Sequence, residues 1–163
     1  MKFKLIKINQ LSGQKTKIYS VLLENESKSL FDNFLEENTE KHKPELLEIL
    51  QRVNSIATKE GAKEHYFKKA EGNLGDGVEA LYDANNLKLR LYCIRYGSVV
   101  LILGGGGVKN VRALQDDPKL KKENYVLRQI SKTLTQAMKE SEFQWNKDFD
   151  DFTGNLTFDD NED

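Results

Sequence analysis

The chain has 163 residues, enough for one ordinary domain or at most two very small ones. Its composition, 38% hydrophobic and 31% charged, suits a core under a heavily solvated surface, and no run approaches the roughly 18–20 consecutive apolar residues of a membrane span. A net charge of −1 hides an asymmetry that bears on partners: residues 1–60 carry +1, residues 61–139 carry +6 and residues 140–163 carry −8.

The N-terminus alternates Lys2, Lys4 and Lys7 with apolar side chains, which is the pattern of a strand and not of a secretory signal, so a cytoplasmic location is expected. Lys2 to Asn9 and Lys15 to Glu24 both alternate, and Ser12-Gly13 between them predicts a hairpin or two edge strands. From Ser29 the spacing of Leu30, Phe31, Phe34 and Leu35 changes to that of a helical face. A second helix is expected from Pro44, with Leu46, Leu47, Ile49, Leu50, Val53 and Ile56 as its stripe and Gly61 as its stop.

Four strands are predicted next, His65 to Lys69, Val78 to Asp83, Leu87 to Tyr96 and Ser98 to Leu103. They are separated by Gly75-Asp76-Gly77, by Asn85-Asn86 and by Gly97, the spacing of an antiparallel meander. In the third of them Leu87, Leu89, Leu91 and Cys93 share one face, while Lys88, Arg90, Tyr92 and Tyr96 share the other and are expected to be free for function. A last helix is predicted from about Pro118 to Lys139, with Leu120, Tyr125, Leu127, Ile130, Leu134 and Met138 turned inward. The sequence thus reads as one α+β domain over residues 1–140, its sheet covered on one side by the helices, followed by an acidic tail, 141–163, that carries Phe143, Trp145, Phe149, Phe152, Leu156 and Phe158. Such a tail suits several uses: to keep the protein soluble, to recognise a partner, to screen a basic face or to dock on the domain's own apolar surface.

Few residues suggest chemistry. Cys93 is the only cysteine and falls on an apolar face, and His42 and His65 are far apart, so neither a metal centre nor another cofactor is expected. Gly104 to Gly107 would allow close approach of an anion, but no Lys-Ser or Lys-Thr pair follows, and a bulged strand end is the simpler reading. The informative set is Lys88, Arg90, Tyr92 and Arg95 on one strand, Lys68 and Lys69 upstream, and Lys109 and Arg112 past the glycines. Cations with an aromatic side chain, expected together on one sheet face, suit RNA, binding phosphates and stacking on a base. A guanidinium there can also hold the non-bridging oxygens while a 2′-hydroxyl attacks the phosphate.

The order strand, two helices, three-strand meander with an arginine in its middle strand, then a basic segment, resembles the RelE/ParE superfamily of bacterial toxins, and its HigB-like branch most. The resemblance runs from Phe67 to Arg112, with Gly75-Asp76-Gly77, Arg90 and Lys109 at corresponding places. It implies a RelE-like sheet packed against a helical hairpin and a C-terminal helix, here with an extra N-terminal strand and the acidic tail. It further implies the toxin of a toxin–antitoxin pair, a metal-independent endoribonuclease acting on messenger RNA or at the ribosome and held by an antitoxin encoded nearby. Arg90, Lys109 and Arg112 would then serve catalysis, and Lys68, Lys69, Lys88, Tyr92 and Arg95 would bind RNA. Paired lysines that many members carry are missing here, which leaves open a second expectation, a non-catalytic module of the same fold that holds a partner protein.

Overall fold

The computed structural model describes residues 1–68, 77–81, 88–109 and 117–160. Strands β1 (Lys2–Lys7) and β2 (Lys17–Leu23) form the expected antiparallel pair, closing Leu5 onto Val21. Helices α1 (Leu30–Asn38) and α2 (Lys43–Ser55) follow. Ser29 caps α1 by accepting a hydrogen bond from Asp32 N at 3.1 Å, and a proline opens α2. The second helix ends in a wider π turn, Ile56–Glu60, and stops at Gly61, whose φ of +83° is a conformation that glycine adopts without strain.

Strands β3 (Phe67–Lys68), β4 (Val78–Leu81), β5 (Leu89–Tyr96) and β6 (Val100–Val108) pair antiparallel in sequence order. Strand β6 then lies parallel to β2, with Lys17 beside Val100 and Ser20 beside Leu103. Helix α3 (Pro118–Lys139) is capped by Asp117, which accepts from Leu120 N at 3.1 Å. Three short strands end the chain: β7 (Phe143–Trp145) and β8 (Phe152–Gly154) pair with each other, and β9 (Thr157–Asp159) joins the main sheet. The seven-stranded order is β3-β4-β5-β6-β2-β1-β9, so the fold is α+β with a mostly antiparallel sheet.

The helices do not share one side of this sheet. Phe31, Phe34, Leu46, Ile49 and Val53 of α1 and α2 pack with Ile18, Leu89, Leu91, Cys93, Leu101 and Leu103 on one face. On the other face Leu120, Leu127, Ile130 and Leu134 of α3 pack with Tyr19, Val21, Val78, Tyr92, Ile94, Val100 and Ile102. Burial on both faces explains the unbroken apolar run from Val99 to Leu103. It also corrects the expectation of a sheet covered on one side only. Two helical stripes shift as well: Tyr125 of α3 and Leu47 of α2 face solvent, and Asn124, Ser131 and Ala137 fill the inner face of α3.

Residues 141–160 are part of this body. Phe143, Phe152 and Phe158 are buried, with ring centroids 5.1 Å apart at steep angles in the Phe143–Phe152 and Phe143–Phe158 pairs, and Phe158 stacks on Phe3 at 5.2 Å. Such ring pairs contribute about 0.5–1.5 kcal/mol each beyond their buried area. The acids of this segment meet the first strands. Asp151 pairs with Lys7 and accepts from the Tyr19 hydroxyl, and Asp159 lies 3.8 Å from Lys2. Burial works to raise the Asp151 carboxyl, but hydrogen bonds from Lys7, Tyr19 and Phe152 N outweigh it and hold the group below the ordinary aspartate range. The same burial and the facing carboxylate push the Tyr19 hydroxyl well above its usual value.

Candidate nucleic-acid interface

The glycine run explains how α3 reaches the sheet. Gly104 to Gly107 are buried within β6, and a Cβ on Gly104 would stand 2.9 Å from Leu127 Cδ2, while one on Gly107 would stand 3.3 Å from Lys119 Cε. Absent side chains here make room for the helix, and the pairing register with β5 shifts between Leu91 and Cys93, opposite this run. The segment is a bulged strand under a helix, not a phosphate loop. Pairing with β2 stops at Ser20 and Leu103, and α1 packs where it stops: the Ser20 hydroxyl donates to Leu103 O at 2.7 Å and accepts from Phe31 N at 3.1 Å.

This layering decides where the sequence-predicted residues go. Arg90 and Tyr92 lie on the α3 face as alternation requires, but α3 closes that face, leaving Arg90 7% exposed and Tyr92 fully buried. The face expected to be free is therefore core. Arg95 belongs to the opposite face, because it stands five positions from Arg90, an odd step along a strand. There it spans Glu79 with two hydrogen bonds, at 3.1 and 3.3 Å, reaches the carbonyls of Ala62 and Gly97, and lies over the Phe67 ring. So committed, Arg95 ties β4, β5 and the Gly61 turn together. Cys93 is buried among Leu89, Leu91 and Leu103, and burial pushes its thiol far up, which suits core packing and not nucleophilic attack.

Three predicted cations remain at the surface. Lys88 is exposed, and Lys109 and Lys68 are half-buried. Lys88 and Lys109 meet where β5 begins and β6 ends: Lys109 N donates to Lys88 O at 2.8 Å, and Arg90 pairs with Gly107 two residues inward. Lys68 is opposite Ala80 on the outer strand β3, away from this end. Lys69 and Arg112, with the Gly75-Asp76 and Asn85-Asn86 turns, lie outside the described residues. The sequence reading missed Glu45. Its Oε1 accepts from Lys88 N at 3.4 Å, which brings a carboxylate from the first turn of α2 to the same strand end. Nothing in the spacing of α2 marks it, since the contact crosses 43 residues.

This end of the meander therefore gathers two lysines, one carboxylate and, two residues inward, a buried guanidinium. A phosphate can be held by Lys88 and Lys109 from outside, with Arg90 adding positive potential from below. Compared with known proteins, the chain matches no family model, no curated protein and no solved structure.

Proposed function

We propose that this protein is the toxin of a bacterial toxin–antitoxin pair, of the RelE/ParE kind, acting on messenger RNA without a metal. The observation that supports it best is the path of the chain: β2, the hairpin α1–α2, then the meander β4–β5–β6 returning parallel to β2, with Arg90 on the middle strand beside Lys88 and Lys109. In this reading the substrate's 2′-hydroxyl attacks the adjacent phosphorus and the 5′-oxygen of the next nucleotide leaves. Lys88 and Lys109 hold the non-bridging oxygens, Arg90 supports the developing charge, and Glu45 is the group placed to take the proton.

A second reading, a non-catalytic module of the same fold that holds a partner protein, is favoured by one observation, the closure of α3 over Arg90 and Tyr92. Induced expression in a bacterial host, scoring growth and translation with and without the neighbouring reading frame, separates the two. Growth arrest relieved by the neighbour and by Lys88→Gln with Lys109→Gln supports the toxin. Unimpaired growth and translation at high expression refutes it.

A further inference from the structure

Helix α3 turns a second cationic surface outward. Its buried residues Leu120, Leu127, Ile130 and Leu134 face the sheet, which leaves Lys121, Tyr125, Arg128, Lys132 and Lys139 along the opposite side. Their spacing of three or four residues, or sums of these, keeps them within one narrow stripe about 27 Å long. None of Lys121, Lys122, Lys132 and Lys139 forms an ion pair with the described residues. The acids of the helix point elsewhere: Glu123 lies against Gly105 and pairs with Lys119, and Glu140 accepts from Gln136. Lys119 is not part of the stripe. Burial works to lower its ammonium, but Glu37 and Glu123 outweigh this and hold it charged and engaged between α3 and α1.

Within the stripe stands an aromatic ring that the core does not need. Tyr125 is 55% exposed, and the Arg128 guanidinium lies 5.9 Å from its centroid. A ring presented to solvent between cations offers a stacking platform to an unpaired base, which a duplex cannot supply. The stripe begins next to the strand end described above, because the first turn of α3 lies over Gly107, the partner of Arg90.

We infer that the outer face of α3 is a binding track for single-stranded RNA, with Lys121, Arg128, Lys132 and Lys139 contacting phosphates and Tyr125 stacking on a base. As a track leading away from Lys88 and Lys109 the inference rests on the proposed function, yet its binding is measured independently of cleavage. The experiment is fluorescence anisotropy of a labelled 20-nucleotide single-stranded RNA titrated with the full chain from 50 to 200 mM salt. The variants are Lys121→Gln/Lys132→Gln/Lys139→Gln, Tyr125→Ala and, for the strand end, Lys88→Gln/Lys109→Gln. All three positions of the triple variant are exposed, and circular dichroism checks that the fold is kept.

The triple variant is expected to bind at least tenfold more weakly, with the slope of log affinity against log salt reduced by about 2, and Tyr125→Ala to lose about fivefold. Three results overturn the inference: no binding at 50 mM salt, parental affinity and slope in the triple variant, or equal affinity for a duplex or a polyglutamate peptide of the same charge. Growth arrest that fails while the track still binds refutes the toxin alone, and a parental triple variant in a protein that arrests growth refutes the track alone.

Discussion

Replacing the glycines of β6 one at a time by alanine tests the claim that the run exists to seat β5 and α3. At Gly106 an added Cβ falls inside the Arg90 carbonyl, with the carbonyl carbon 2.8 Å away and Leu91 Cα 3.2 Å away. Both obstacles are backbone, so β5 and β6 must separate, at a cost of about 3 kcal/mol or more. At Gly104 the Cβ meets Leu127 Cδ2 at 2.9 Å and Tyr92 O at 3.2 Å, one side chain and one carbonyl, for about 1–3 kcal/mol. At Gly107 its tightest contact is the flexible stem of Lys119, 3.3 Å away, with Leu120 Cδ2 at an ordinary 3.6 Å, and the lower entropy of the unfolded chain offsets the contact, leaving a net change within about 0.5 kcal/mol. For a chain of this length each kcal/mol moves Tm by about 2–4 °C, so Gly106→Ala should fall by about 6–12 °C and Gly107→Ala by no more than about 2 °C. Urea and thermal unfolding followed by circular dichroism measure the series. Equal stability of the Gly106 and Gly107 variants refutes the packing account, as does a series in which all four alanines leave the midpoint unchanged, the behaviour of an open anion-binding loop.

Two further outcomes follow from the buried polar contacts. Glu79→Ala leaves the Arg95 guanidinium, 18% exposed, without its carboxylate and should lower stability by about 3 kcal/mol in urea unfolding, well beyond the cost of breaking the exposed Lys63–Glu60 pair, about 0–1 kcal/mol. Asp151 has a folded-state value below its unfolded one, so its contribution is present above the unfolded value, near pH 4, and is lost as pH falls through the folded value. Asp151→Asn should therefore be about 1–2 kcal/mol less stable than the parent at pH 7 and converge with it in acid, and a gap that persists unchanged to pH 2 would contradict the assignment.

Strands β7, β8 and β9 within the expected tail were not legible, whereas the elements up to α3 were, because each carried a local signal: the Ser29 and Asp117 caps, the proline opening α2, Gly61 at its end and the Gly97 turn at φ +55° all stand where the chain changes direction. Layering was not. Alternation along Leu89 to Cys93 assigns residues to two faces but does not say which face meets water, and Arg90 and Tyr92 have the polar atoms that make a buried face read as an open one. The signal that the α3 face is covered lies elsewhere, in the apolar Val99 to Leu103 run and in Gly104 and Gly107, over which α3 packs closely. Arg95 departs from the Arg90 face for a simpler reason: it is near Arg90 in sequence but five positions on, and the period of a strand puts the two on opposite faces.

Once both faces of a sheet are buried, groups that bind large ligands are left to the strand ends and the outer faces of the helices. The described cations obey this division. Arg95 is used up inside and Arg90 lies beneath α3, while Lys88 and Lys109 stand at a strand end and Lys121, Lys132 and Lys139 line a helix. The acidic segment respects it too, since Asp151 and Asp159 engage Lys7 and Lys2 at the far side of the sheet and leave those cations uncovered. An acidic end folded into the body in this way lowers the net charge without neutralising the basic surface, so the protein keeps an attractive local field for a polyanion while its total charge stays near −1. That separation of local field from total charge predicts binding that weakens steeply with salt although the protein as a whole is slightly acidic.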